Sequence, residues 1–472
     1  MGYAPTPLAE ASSSAPIHGG DVQRFISGRD LPFDWWQLFQ CPALNALVSQ
    51  AFNANPTIPA ARAALAQAQE FVRAQRGFYY PSAAAGFQGE RVKVAGNNTQ
   101  SSSLGIQSSG ENLGQPPAPA SPLYYQFYTA GLTVGFVPDI FGANRRQVES
   151  LAAQADAQRF ALEATYITLA SNVVAAAIQE ASLRAQIDAT RQIIAADEKS
   201  LRILRDQFQL GFAMRIDVAA QEAALAQAQT LLPPLQKQLE QTRDLIRSLV
   251  GNLPNQDVPQ IFELEELQLP PELPVSLPAR IIEQRPDVRA AEARLRAANA
   301  QVGVAVAAML PQFPISATLG GNAAQIPLMF RGGGPFWTLV GGVTQPVFEG
   351  GTLLHTKRAA SAALKQAASA YQNAVITAYQ NVADSLHASL SDSEALAGAL
   401  EAENAAKVSY ELTRQQMEAG YVNTLALLYA ETAYNQALLT RVQAQAARYG
   451  DTVALFQALG GGWWNRAEVA AR

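Results

Sequence analysis

An internal duplication constrains this chain more than any other feature, because two copies of one unit must fold alike and find equivalent neighbours. At an offset of 230, Pro56 maps on Pro286, Ala60 and Ala61 on Ala290 and Ala291, Ala63 on Ala293, Leu65 on Leu295, Ala68 on Ala298, Val72 on Val302 and Pro81 on Pro311. At an offset of 209, Gly142 maps on Gly351, Arg205 on Arg414, Gly211 on Gly420, Phe212 on Tyr421, Glu222 on Glu431, Gln227 and Ala228 on Gln436 and Ala437, and Gly251 on Gly460. The two prolines lie 25 residues apart in each half, and the three glycines keep spacings of 69 and 40. The offsets differ by 21 residues, and that difference falls between Pro81 and Gly142. There the stretch 95–121 is rich in Gly, Asn, Ser, Gln and Pro and reads as a solvated loop, against a shorter turn around 331–335 in the second half.

The duplication divides the chain into an N-terminal extended segment 1–41, a first repeat 42–251, a Pro-rich linker 252–276, a second repeat 277–460 and a tail 461–472. Each repeat reads helix, two strands, long helix, shorter helix. Between Gly142 and Gly211 there is no proline, and Val148, Ala152, Ala155, Leu162, Tyr166, Leu169, Val173 and Ala176 recur at coiled-coil-like spacings of three and four. Leu364, Ala368, Tyr371, Val375, Ala378 and Val382 repeat that register in the second half. A helix of about 67 residues is roughly 100 Å long, wider than a single globular core, so its alanine-lined flanks need neighbours. The shorter helices, near 43–78 and 213–250 in the first half, are each about half as long; stacked end to end, they could run alongside the long one.

Strands are expected at about 80–95, 122–138, 312–323 and 335–347. Tyr128, Ala130, Leu132, Val134 and Phe136 alternate with Thr129, Gly131, Thr133 and Gly135, as Ile315, Ala317 and Leu319 do with Ser316, Thr318, Gly320 and Asn322. One apolar and one small polar face, with aromatics near the ends, fits a membrane β-barrel; a pair of hairpins on a helical core is the plainer alternative. Four strands cannot close a barrel, which takes at least about eight, so a spanning barrel needs several chains.

The chain is 49% apolar and 15% charged, against about a quarter charged in ordinary soluble domains. No apolar run approaches the roughly 18 unbroken residues of a membrane helix, so helical spans are not expected. A net charge of −5 without a basic cluster argues against nucleic acid. One cysteine, Cys41, cannot pair within the chain, and three histidines and five methionines leave little for a metal centre, so neither metal nor cofactor is expected. No Gly-x-Ser-x-Gly, phosphate loop or His-Glu-x-x-His occurs, and His355 and His387 fall inside the second long helix, so the chain is not expected to be an enzyme. Met1-Gly2-Tyr3-Ala4-Pro5 is not followed by a basic and apolar leader, so any export signal is expected to have been removed.

Several motifs resemble one family. Trp35-Trp36-Gln37-Leu38-Phe39, with Pro42 and Leu44-Asn45, is similar to a paired-Trp approach to a first helix, although Cys41 stands where that family usually has Asp. The most specific match is Leu277-Pro278-Ala279-Arg280-Ile281-Ile282-Glu283-Gln284-Arg285-Pro286-Asp287-Val288-Arg289-Ala290-Ala291-Glu292. Pro346-Val347-Phe348-Glu349-Gly350-Gly351 and Asp139-Ile140-Phe141-Gly142 are similar to its strand exits. Over about residues 35–460 the chain resembles the outer-membrane efflux proteins, the TolC-like outer membrane factors, of NodT/OprM lipoprotein type.

The resemblance implies a mainly α fold with a small β part: a trimer whose long helices form an α-barrel through the periplasm and whose strands form a 12-stranded outer-membrane β-barrel. It implies a passive channel for drugs or other small toxic compounds, completed by a periplasmic adaptor and an inner-membrane pump. A type I protein-secretion duct, or a helical trimer without a conduit, are the alternatives. Tyr3-Ala4-Pro5-Thr6-Pro7 resembles the stretch after the acylated cysteine of lipoprotein members, implying a lipid-anchored precursor.

Gly211 and Gly420 end the long helices, as left-handed caps do. The resemblance places the turns Gly211-Phe212 and Gly420-Tyr421 at the periplasmic tip, where the adaptor docks. Beyond the second turn the family often carries Leu-Leu-Asp-Ala, whose Asp closes the periplasmic aperture with a Leu one turn earlier. Here Leu427-Leu428-Tyr429-Ala430 lacks the Asp. Leu425 and Tyr429, four apart on one helical face, are expected to form an apolar and phenolic aperture instead, ordinary packing of Tyr429 being the alternative. Asp217, six residues after Gly211, supplies some acidity or only solvated surface.

Overall fold

The structure is a computed structural model that describes residues 10–94, 123–275 and 278–466. The loop 95–121, the Tyr3–Pro7 stretch, Leu277 and the tail beyond 466 lie outside the described residues. In chain order the elements are β1 (Arg24–Ser27), α1 (Pro42–Ala54), α2 (Thr57–Arg76), β2 (Ser82–Val94), β3 (Leu123–Phe136), α3 (Ala143–Gln209) and α4 (Arg215–Leu249). There follow β4 (Glu272–Val275), α5 (Pro278–Gln284), α6 (Pro286–Ala307), β5 (Ile315–Ala323), β6 (Pro335–Gly341), α7 (Thr352–Glu418) and α8 (Thr424–Ala458).

Proline sets the helix breaks. The segment near 43–78, expected as one helix, is two, because the residue before Pro56 is driven out of the helical region: Asn55 lies at φ −68° and ψ 124°. Its side chain then accepts the Thr57 amide at 2.9 Å and starts α2. Pro286 opens α6 after α5 has ended at Gln284. Two compact units result, one of Met1–Ala68, Ala153–Leu295 and Lys365–Arg472, the other of Gln69–Ala152 and Arg296–Leu364. The helices α2, α3, α6 and α7 contribute residues to both.

The larger unit is held by an apolar core that includes Leu44, Leu47, Ile58, Val173, Val174, Val382, Val453 and Phe456. Trp35 is 1% exposed and its ring lies 5.4 Å from that of Phe456, while Trp36 meets Phe52 at 5.4 Å. One 18-residue window of α3 reaches a mean hydropathy of 1.4, enough to cross a membrane by composition, yet 67% of it is buried in the protein, as in a core helix. The linker belongs to this core: Val258, Phe262, Leu264 and Leu267 are buried, and β4 pairs in parallel with β1, Arg24 opposite Glu272. Arg243 of α4 ties the linker down, donating to Glu180 at 2.8 Å, Asp257 at 2.9 Å and Val258 O at 2.7 Å.

The two repeats close alike within this unit. Gly251 and Gly460 both have positive φ, and a Cβ on either would lie 2.5 Å from Ala54 O or 2.6 Å from Gln284 O. Ala54 and Gln284 are themselves 230 apart, each the last residue of the first helix of its repeat.

The smaller unit carries one antiparallel sheet in the order β2-β3-β5-β6. Its centre is the seam between repeats, where Gly131 lies opposite Gly320 and the hydroxyls of Thr133 and Thr318 are 3.1 Å apart. A Cβ on Gly320 would meet Ala130 O at 2.4 Å, so the strands require glycine there. β5 starts at Ile315 and β6 stops at Gly341, short of the 312–323 and 335–347 expected: Pro314 has no amide to donate, so beyond Gly341 the two segments are joined by Gly342 N donating to Pro314 O at 3.0 Å and by the isolated bridge Gln312–Thr344. Leu132, Leu319 and Trp337 lie side by side on one exposed face, beside Val134, Ala317 and Leu339.

Candidate functional site

Both long helices stop by the same device. Gly211 sits at φ 79° and Gly420 at φ 76°. Around Gly211, Phe212 N donates to Gln207 O at 2.8 Å and Gly211 N to Phe208 O at 3.1 Å. Around Gly420, Tyr421 N donates to Gln416 O at 2.9 Å and Gly420 N to Met417 O at 3.0 Å. These crossed bonds satisfy the last carbonyls of a helix and turn the chain back. The shorter helices then start on caps, Met214 N donating to Asp217 Oδ2 at 3.0 Å and Ala426 N to Asn423 Oδ1 at 3.0 Å. Asp217 is therefore a capping group.

The turns present large apolar side chains without cover in the chain: Leu210, Phe212, Met214 and Ile216 on the first, Tyr421 at 83% exposed on the second. Leu425 and Tyr429, one turn apart on α8, are 49% and 70% exposed. On the far side of the same helix Leu427 and Glu431 are buried.

The hairpins differ beneath their tips. In the first, Leu201, Leu204 and Val218 make a small apolar cluster between α3 and α4, and Arg205 bridges to Glu222 at 2.9 Å with Arg215 at 3.7 Å. The hydrogen bond from Arg205 lowers the Glu222 pKa. In the second, α7 and α8 are joined by Tyr410 stacked on Tyr434 at 5.9 Å and by Arg441 bonded to Glu403 at 2.8 Å. Arg414, the repeat partner of Arg205, lies over the Tyr410 ring instead of reaching Glu431. Glu431 is left 5% exposed; burial, then the Asp197 charge, raises its pKa to about 7. Asp197 is raised by burial, against the amide of Gln221 that donates to it at 3.0 Å. Sequence inspection aligned Glu431 with Glu222 but did not single it out; the signal available was the repeat itself, which puts a carboxyl on α8 beside helices from the other half.

Known proteins share this construction. The profile of the family described as outer membrane efflux protein matches residues 47–252 and 277–461. The chain is similar to the pyoverdine export outer membrane protein OpmQ of Pseudomonas putida, 26% identical over 460 residues that make up 97% of this chain and 94% of that protein. It is similar to the toluene efflux pump outer membrane protein TtgF of Pseudomonas putida, at 26% identity with 93% and 87% covered. In structure it is similar to the Campylobacter jejuni CmeC outer membrane channel, with a TM-score of 0.84, 21% identity, and 94% of this chain and 91% of that one covered.

Proposed function

This chain belongs to the outer membrane efflux protein family, and from that membership we propose that it is the outer-membrane channel of a tripartite efflux system, conducting drugs or other small toxic compounds passively outward. The observation that carries the reading is the coexistence in one chain of a four-stranded sheet with an exposed apolar face and long helices with uncovered apolar tips. Among the described residues, β2 and β6 each have one unpaired edge. Open edges do not persist in a bilayer, so copies of the chain join edge to edge until the sheet closes; three of them supply the strands of one barrel.

In this assembly Leu425 and Tyr429 form the periplasmic aperture, and Gly211, Phe212, Gly420 and Tyr421 are where a periplasmic adaptor docks, with an inner-membrane pump beyond it. Their exposure supports both roles, since an aperture and a docking tip need side chains not already committed within the chain. The precursor is lipid-anchored near Tyr3, a reading that rests on the resemblance of that stretch alone. The chain binds no cofactor and performs no chemistry in this role.

Planar bilayers test the channel. The purified protein is expected to form pores of low conductance, and Leu425→Ala with Tyr429→Ala to raise that conductance several-fold. Absence of any pore in both proteins refutes the channel in favour of a structural trimer, whereas equal conductance refutes only the aperture assignment. Crosslinkers placed at Phe212 and Tyr421 are expected to capture the adaptor; capture from the strand face alone would refute docking at the tips.

A further inference from the structure

Residues 10–28 are fastened to the larger unit by directional bonds more than by its apolar core, which begins in sequence at Leu31 and takes Phe25 only at its margin. The stretch first closes on itself: Ser12 N donates to Gln23 O and Phe25 N to Glu10 O, both at 2.9 Å, and Ala15 N donates to Gly20 O at 2.8 Å across the turn. Into this loop reaches Arg448 of α8, which is 0% exposed. Its guanidinium donates to Ser12 Oγ at 2.9 Å, to Gly19 O at 3.1 Å and to Asp21 O. Among the described residues no carboxylate is bonded to Arg448. A buried cation held by neutral acceptors alone loses much when any one of them is withdrawn, so the guanidinium demands this loop in this shape.

Arg448 is one of four buried residues on a single face of α8. Gln445, Arg448, Tyr449 and Thr452 recur at spacings of three and four and are at most 3% exposed. Gln445 donates to His18 O at 2.9 Å, and Thr452 Oγ1 accepts from the Gln23 amide at 3.3 Å. Gly19 lies against Tyr449 at φ 72°, where a Cβ would sit 2.6 Å from the phenolic oxygen, and a Cβ on Gly20 would run into Ala15 O, so the turn needs both glycines. The same stretch reaches α7, where Ser13 N donates to Ser393 Oγ at 3.0 Å. It also reaches the linker: Gln23 Nε2 donates to Pro270 O at 3.2 Å, Arg24 N to Pro271 O at 2.8 Å, and β1 lies along β4.

We propose that residues 10–28 are a strap that opens and closes as a unit, and that this face of α8, with the β4 edge, is a peptide-binding site whose ligand is the strap: a loop of main-chain carbonyls wrapped on a buried guanidinium. Gly19 and Arg448 are 429 residues apart, so the site exists only once the last helix has packed. Closed, the strap ties the linker to α8 and α7. Open, it uncovers the β4 edge and the Arg448 guanidinium, and it lengthens the free amino-terminal arm as far as Gly28. Segments with few apolar contacts open at lower free energy than the core they lie on, and the strap, closed at its own base by the bonds between 10–12 and 23–25, has what it needs to move as one piece.

Hydrogen exchange on the full chain separates strap from core. The amides of Ser12, Gln23, Phe25 and Gly28 are expected to exchange together, at least about tenfold faster than those of Leu455 and Phe456 in α8. Gly19→Ala is expected to speed the strap amides by a further factor of about ten or more and to leave the α8 amides within about twofold. A fluorescent peptide of residues 10–28 is expected to bind the Gly19→Ala protein saturably, and wild type at least about tenfold more weakly, because there the strap competes from within the chain. The same peptide carrying Gly19→Ala is expected to bind neither. Arg448→Lys with Gly19→Ala in one chain, which keeps the charge and loses the fork, is expected to weaken the wild-type peptide at least about tenfold relative to Gly19→Ala alone. Strap and α8 amides that exchange together in both wild type and Gly19→Ala, or a Gly19→Ala protein that binds no wild-type peptide, overturns the proposal; so does peptide binding that Arg448→Lys leaves unchanged. Gly19→Ala lies on the strap and not on α8, so it carries the test by itself if the lysine variant does not fold. No readout here involves conductance, and the strap and the channel stand or fall separately.

Discussion

Gly211 and Gly420 have open space where a Cβ would go, so alanine there meets only left-handed strain, about 1 kcal/mol. Gly251 and Gly460 add a carbonyl at 2.5 and 2.6 Å to the same strain. Gly251→Ala and Gly460→Ala are therefore expected to lower the melting temperature more than Gly211→Ala and Gly420→Ala, by calorimetry; equal losses would show that the tips are constrained by something beyond their own backbone. Tyr449→Phe tests the linker's attachment, since its hydroxyl donates to Leu267 O at 2.7 Å in a buried site. Leaving that carbonyl unpaired is expected to cost about 1–3 kcal/mol in denaturant unfolding. The glycines were legible in the sequence because a positive φ is a demand other residues meet badly, so their spacing survives duplication. Glu431 was not legible as a buried acid: aligning it with Glu222 says nothing of which side of α8 its neighbours cover.

At the scale of elements, α4 differs from its repeat partner α8 by an interior Pro233-Pro234, both exposed, where α8 has Val442 and Gln443 with Val442 buried. Two amides are thereby missing from the ladder, and proline in a helix interior costs up to about 3 kcal/mol. Pro233→Ala with Pro234→Ala is expected to stabilise the protein by about 1–3 kcal/mol in thermal unfolding, and a loss of stability would mean that the two prolines are required for packing. The long helices were readable from uninterrupted three-four spacing. The division at Pro56 was less so, because apolar periodicity continues across it while the local backbone does not. β6 ended early because its partner β5 starts only at Ile315, after Pro314, which has no amide to give the ladder; Gly342 N still donates to Pro314 O at 3.0 Å.

For the whole molecule, the sheet face bearing Leu132, Leu319, Trp337 and Leu339 is the one that meets lipid in the proposed assembly, and Thr338 lies on the opposite face. Leu339→Arg is expected to disfavour membrane insertion by about 2–4 kcal/mol, read as loss of assembled protein from outer-membrane fractions, and Thr338→Arg much less. Equal losses would place both faces in similar surroundings and count against the barrel. The two glycine closures carry a further consequence. Each half brings its last glycine back to the end of its own first helix, while both compact units draw residues from both halves, so the covalent join raises the effective concentration of one half for the other. What fusion adds is release from identity: once two halves travel as one gene, a glutamate can stay ion-paired at the surface in one and become a buried acid in the other.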